Sequence, residues 1–274
     1  MNTGASKHLP LQEAIARANW RIQISCYARC VLALFWSTRR RRSSVQDQIH
    51  QLRTMALPKP APEACLIDLL RHYTEGVHLQ ATGDFGNALS IYQQPKFSLD
   101  TSKGRPHLDI CLLATFNRLW ILQHPSYQDH QAQTHLMEQV VAVCARHPDR
   151  EIQTIFHISL VVIKSPQTAV QTTKSSLNIA IKQSQATGNA LHSALALCAL
   201  HAFMFEGLVS TQALKSSQAA SVQAARAGNM LWMSVADRIL AQSYEVHGQM
   251  QNSVEHRIRS ARLAQIALSS DIII

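Results

Sequence analysis

Between residues 230 and 247 the apolar side chains Leu231, Trp232, Val235, Ala236, Ile239, Leu240 and Tyr244 recur at i, i+1, i+4 and i+5. On a helix of 3.6 residues per turn that pattern is one broad apolar stripe. The run LHSALALCALHAFMF, residues 191–205, is apolar nearly all round, as a helix held between two neighbours must be. The same period predicts helices near 11–37, 43–56, 62–82, 84–95, 107–122, 130–146, 149–163, 166–187, 190–205, 211–227, 230–247 and 250–268. The strict alternation of a half-buried strand is nearly absent. IFHISLVVI, residues 155–163, is continuous rather than alternating, and reads as a buried helix.

The breaks between these helices are informative. The stretch TEGVHLQATGDFGNALSIYQQP, residues 74–95, carries three glycines inside helix-forming sequence. Each glycine costs about 1 kcal/mol relative to alanine in a helix interior, so each marks a turn or a tight contact. Gly83 and Asp84 suit a turn between antiparallel helices, because glycine accepts a left-handed exit and aspartate caps the next helix. Gly76 then lies inside the first helix, Ala88 gives the second a small contact point, and Tyr92 fills the space beside it. The set Gly76, Gly83, Asp84, Phe85, Ala88 and Tyr92 resembles a tetratricopeptide repeat. One repeat cannot bury its own apolar faces, so others are expected. Gly188-Asn189 and Gly228-Asn229 recur forty residues apart, each between two helical runs. The fold expected is all-α, a TPR-like right-handed solenoid of stacked antiparallel helix pairs. It would occupy residues 11–268 as a single domain, with a flexible terminus at 1–10, a tail at 269–274, and irregular connections near 57–62 and 96–106. The segment 96–106 reads as an exposed loop outside the core.

Composition supports a folded chain: 274 residues, 46% apolar and 16% charged. Cys26, Cys30, Cys65, Cys111, Cys144 and Cys198 sit in apolar helical runs without zinc-finger spacing, which reads as buried free thiols with no metal. The apolar run ISCYARCVLALFW, residues 24–36, is shorter than the roughly 20 residues of a spanning helix and includes Arg29, so no membrane anchor is expected. The net charge is +9, of which Arg39, Arg40, Arg41 and Arg42 supply four. That run suits an acidic partner or import signal as well as a solvated helix tip. Phosphate-binding loops, nucleophile elbows and paired metal-binding histidines are all missing, and no enzyme or cofactor is expected.

A more particular resemblance lies in residues 72–93, in LDICLLATFNRLWILQHP at 108–125, and above all in residues 207–242. These segments are similar to the fungal branch of the cohesin-loading factor family, the Mau-type TPR subunit of the cohesin loader, with the chain corresponding to its C-terminal part. Gln212, Lys215, Ser216, Asn229, Leu231, Trp232, Val235, Ala236 and Asp237 match the family pattern, whereas Arg238 replaces a usual glycine. The resemblance implies a nuclear, chromatin-associated, non-catalytic scaffold for sister-chromatid cohesion. Its partner would be the extended N-terminal segment of the large HEAT-repeat loader subunit, with cohesin and chromatin engaged indirectly. Lys215 is the best single candidate for contact with an acidic partner, alongside the four arginines. Gly76, Gly83, Asp84, Ala88, Tyr92, Gly188, Gly228 and Trp232 are expected to define the repeats, with Trp232, Trp120 and Tyr92 as core fillers. A generic TPR adaptor, of cochaperone or transcription-regulator type, is the alternative.

Overall fold

A computed structural model of the chain describes residues 28–30, 33, 42–55, 62–101, 104–164, 170–205 and 207–268. Among them the regular elements are all helical: α1 (Arg42–Thr54), α2 (Pro62–Ala81), α3 (Phe85–Tyr92), α4 (Arg105–Ile121), α5 (His130–Cys144), α6 (Arg150–Lys164), α7 (Val170–Thr187), α8 (Ala190–Leu200), α9 (Thr211–Ala227), α10 (Met230–Val246) and α11 (Met250–Leu268). Short 3₁₀ turns follow α3 and α4, and a π-turn, His201–Phe205, follows α8. Sequence neighbours pack on each other, the arrangement of an all-α solenoid. The apolar run at 155–163 is the body of α6. The proposed connection at 57–62 lies almost wholly outside the described residues, and the terminal segments 1–10 and 269–274 entirely so.

The chain divides between Ala114 and Thr115 into two compact units. In the first, Val45, Ile49 and Leu52 of α1 close on Ile67 of α2 together with Cys30 and Ala33. An Arg53–Glu75 ion pair joins the same two helices at the surface. The α2–α3 hairpin turns at Gly83, whose φ of 85° is the left-handed conformation the sequence calls for. Asp84 caps α3 by accepting from the Asn87 N–H at 3.3 Å.

Two expectations in this unit need correction. The segment after α3 is not an exposed loop outside the core. Phe97 is 4% exposed, and its ring meets that of Tyr92 edge-on at 6.3 Å. Lys96 Nζ donates to Asp68 Oδ2 at 2.8 Å, tying the segment back to α2. Secondly, Cys65 is exposed. It lies two residues before the buried Ile67, which is about 160° away around the helix, so it faces solvent. Cys30, Cys111, Cys144 and Cys198 are buried free thiols, and Cys26 lies outside the described residues.

The second unit is centred on α8, the helix with apolar residues on all sides. It packs against α7 and α9 and also touches α6 and α10. Its alanines make this possible: Ala194 and Ala196 are fully buried, and Ala199 nearly so. Small side chains let helix axes approach closely, and Ala220, Ala224 and Ala236 supply the opposing surfaces. Gly188 and Gly228 end α7 and α9 with φ of 69° and 65°. Asn189 and Asn229 then cap the following helices through the N–H groups of His192 and Trp232, both at 3.1 Å.

Candidate partner-binding surface

The three capped turns share a common register. In the α2–α3 hairpin, Gly76 lies eight residues before the cap Asp84, and Tyr92 lies eight after it. Eight before and eight after Asn189 are Ile181 and Leu197; around Asn229 they are Ser221 and Asp237. In each hairpin these positions face the partner helix. A Cβ on Gly76 would be 2.5 Å from Tyr92 Cε1. Ile181 packs against the cluster containing Leu197. Ser221 donates from its hydroxyl to Asp237 Oδ1 at 2.8 Å.

Asp237 is the one carboxylate at such a position, and it is 0% exposed. Burying an ionised carboxylate is costly unless charge and hydrogen bonds compensate. Here α11 supplies the compensation. Arg259 Nε stands 3.0 Å from Oδ2 as an ion pair, and His256 Nδ1 stands 3.4 Å from Oδ1. The His256 ring also stacks on Tyr244 at 5.4 Å, and Tyr244 Oη accepts from Gln218 Nε2 at 3.2 Å. The matched Val-Ala-Asp segment is therefore a clasp joining α9, α10 and α11. Its geometry is that of a structural linkage.

Lys215 is exposed on α9. Gln218, Val222 and Arg226 share its solvent face at i+3, i+7 and i+11, and Val222 is 52% exposed. Lys215 has no ion-pair partner among the described residues. Arg39, Arg40 and Arg41 lie outside the described residues, and Arg42 is the first residue of α1. Ala88 and Tyr92 are buried, whereas Trp232 is only half-buried. Trp120 is half-buried too, and its Nε1–H donates to Ser159 Oγ at 3.0 Å.

The stretch after α8 departs from the helix expected there. The run predicted as a single helix to residue 205 leaves α-geometry at Leu200, and the π-turn redirects the chain into Gly207. Phe203, Leu208 and Val209 are exposed there, at 40%, 53% and 71%. Beside them a cavity of about 240 Å³ is lined by His201, Phe205, Leu208, Ser243 and Val246 among others. Single-turn π segments recur at functional positions in helices. The clue in the sequence was Phe-Met-Phe ahead of Glu-Gly-Leu-Val, an apolar run continuing across a glycine break.

Several groups are shifted by their surroundings. Burial pushes the thiols of Cys111, Cys144 and Cys198 up to about 11, 12 and 12, which keeps them protonated and inert. Burial lowers His157 and His192, the latter against the opposing charge of Glu151. At Asp68, burial acts to raise the pKa, but the hydrogen bond from Lys96 and the charges of His72, Lys96 and Arg71 outweigh it, so the carboxyl sits below its usual value. Among the described residues no group of three His, Cys, Asp or Glu side chains could hold a metal ion, and no helix is long and apolar enough to cross a membrane.

Compared with known proteins, the sequence matches the family model described as cohesin loading factor over residues 2–251. No curated protein matches the chain.

Proposed function

This chain belongs to the cohesin loading factor family, which gives it a role in cohesin loading, and on that premise we propose that it is a non-catalytic scaffold subunit of the cohesin loader. In this reading it acts in the nucleus by holding an extended segment of the large HEAT-repeat subunit. Cohesin and chromatin are engaged through that subunit, in support of sister-chromatid cohesion and chromosome segregation. The observation that carries the reading is the solvent face of α9. Lys215 and Arg226 flank Val222 there without any intramolecular requirement for the lysine, within the part of the chain that resembles the family most. An extended peptide with acidic and apolar residues is the complementary ligand. Stacked helix pairs offer such a peptide contacts spread over several elements rather than one reactive group. The four arginines at 39–42 would add to the same electrostatic attraction.

The test is a titration of the N-terminal segment of the large subunit against this chain at low and high salt. Binding whose association rate falls with salt, and which weakens modestly in Lys215→Ala, supports the scaffold reading. Absence of binding at low salt would overturn it.

A further inference from the structure

The solvent face of α11 carries an apolar stripe that the packing of the second unit does not use. Met250, Val254 and Ile258 recur at i, i+4 and i+8 and are 56%, 51% and 66% exposed. Taking about 100° per residue, these three fall with the exposed Ala261 and Gln265 inside one arc of about 80°. Three charges border this arc: Arg257 lies about 20° beyond Met250 on one side, and Glu255 and Arg262 lie on the other. Glu255 and Arg262 lie about 60° and 40° round from Ile258, and neither has a hydrogen bond or ion pair among the described residues. The other charged residues of the helix are engaged: Arg257 pairs with Glu245, while His256 and Arg259 face Asp237.

The placement of Glu255 and Arg262 is self-complementary. They stand symmetrically about the Ile258–Arg259 step, three and a half residues to either side. When two identical helices pair antiparallel about a two-fold axis, the same flank of each faces the other. Glu255 of one copy then meets Arg262 of its partner, and the reverse pair forms by symmetry. Val254 and Ala261, whose midpoint lies one residue earlier, come within about 3 Å of level across the same axis, and the two Ile258 side chains flank it half a residue away. In a parallel pair this flank would face the opposite border, where Arg257 is already bound to Glu245.

The geometry points to α11 as a docking surface for a second copy of this chain, paired antiparallel about Ile258. The contact is small. A helix of 19 residues is about 28 Å long and presents a footprint of about 280 Å², against about 800 Å² per partner in a standard interface. The dimer therefore forms as protein concentration rises and dissociates on dilution.

Sedimentation equilibrium of the full chain tests this. The expected result is a weight-average mass rising with concentration toward that of two chains. Ile258→Asp, Glu255→Arg and Arg262→Glu should each hold the mass at that of one chain, because each places an ill-suited charge across the axis. The double variant Glu255→Arg/Arg262→Glu should regain association, since the swapped charges are again complementary. Circular dichroism on every variant confirms an unchanged fold. A single-chain mass up to the solubility limit overturns the proposal, as does association that survives both single reversals or is not regained in the folded double variant. A monomer that loses binding of the large-subunit segment on Ile258→Asp would also overturn it and assign the face to that partner.

Discussion

Gly76 lies so close to Tyr92 that an added methyl group would stand 2.5 Å from Cε1, 2.8 Å from Cζ and 3.1 Å from the phenol oxygen. The ring cannot simply retreat. It is 3% exposed, wedged against Phe97 at 6.3 Å and Tyr73 at 6.4 Å.

Gly76→Ala therefore sets two effects against each other. Alanine gains about 1 kcal/mol of helix propensity, while overpacking a filled core costs about 1–3 kcal/mol. We expect the steric term to win and the melting temperature to fall. A thermal melt followed at 222 nm reads the sign; an unchanged or higher midpoint would mean that the ring yields.

Ala88 is fully buried on α3, one turn before Tyr92, whose ring packs against Gly76 of α2. Ala88→Arg adds volume and a charge at that contact, with an expected loss of about 3 kcal/mol or more. Denaturant unfolding measures it, and a soluble variant with an unchanged midpoint would contradict the packing described for this hairpin.

The Asp237 clasp has two unequal halves, because Asp237 is buried while the Arg259 side chain is 47% exposed. Arg259→Ala leaves a buried carboxylate with only Ser221 and His256 near it, whereas Asp237→Asn leaves a guanidinium that water can reach. The first should cost more, about 2–3 kcal/mol against about 1–2 kcal/mol. A double-mutant cycle over the two positions should show coupling; additive effects would remove the ion pair from the account.

His157 and His192 give the stability a dependence on pH. Burial holds both below the ordinary value of 6.5, so the native state stays neutral where the unfolded chain takes up protons. Their contribution is complete above the unfolded value and declines as pH falls below it toward the folded values. Melting temperature should drop between about pH 6.5 and 5, before most carboxylates titrate. The double variant His157→Gln/His192→Gln should flatten that part of the profile, and an equally steep profile would place the dependence elsewhere. Asp68 acts at lower pH. With its folded pKa depressed, its contribution persists down to its ordinary value and is lost below it.

The sequence by itself determined the helices and the turns between them. Helices α9 and α11 span the predicted 211–227 and 250–268, and Gly83, Gly188 and Gly228 take the left-handed φ that their Gly-Asp and Gly-Asn contexts require. These features are local: a cap bonds an N–H two or three residues away, and a stripe repeats within two turns of one helix. The family resemblance was legible for a related reason, since Val235, Ala236 and Asp237 form one uninterrupted segment. Only the tertiary structure decided what those residues face. Asp237 reads in sequence as a charge on a helix, yet Ser221 and Arg259 from two other helices make it a buried clasp. Phe97 looked like part of a loop until Tyr92 covered it, and Cys65 looked like a core thiol until the turn of α2 set it in solvent. The π-turn at 201–205 has the composition of the helix before it, and the stripe of Met250, Val254 and Ile258 has the composition of a buried face. Burial is not a property of a residue and its neighbours in the chain. It depends on which surface lies opposite, and that surface comes from elements tens of residues away.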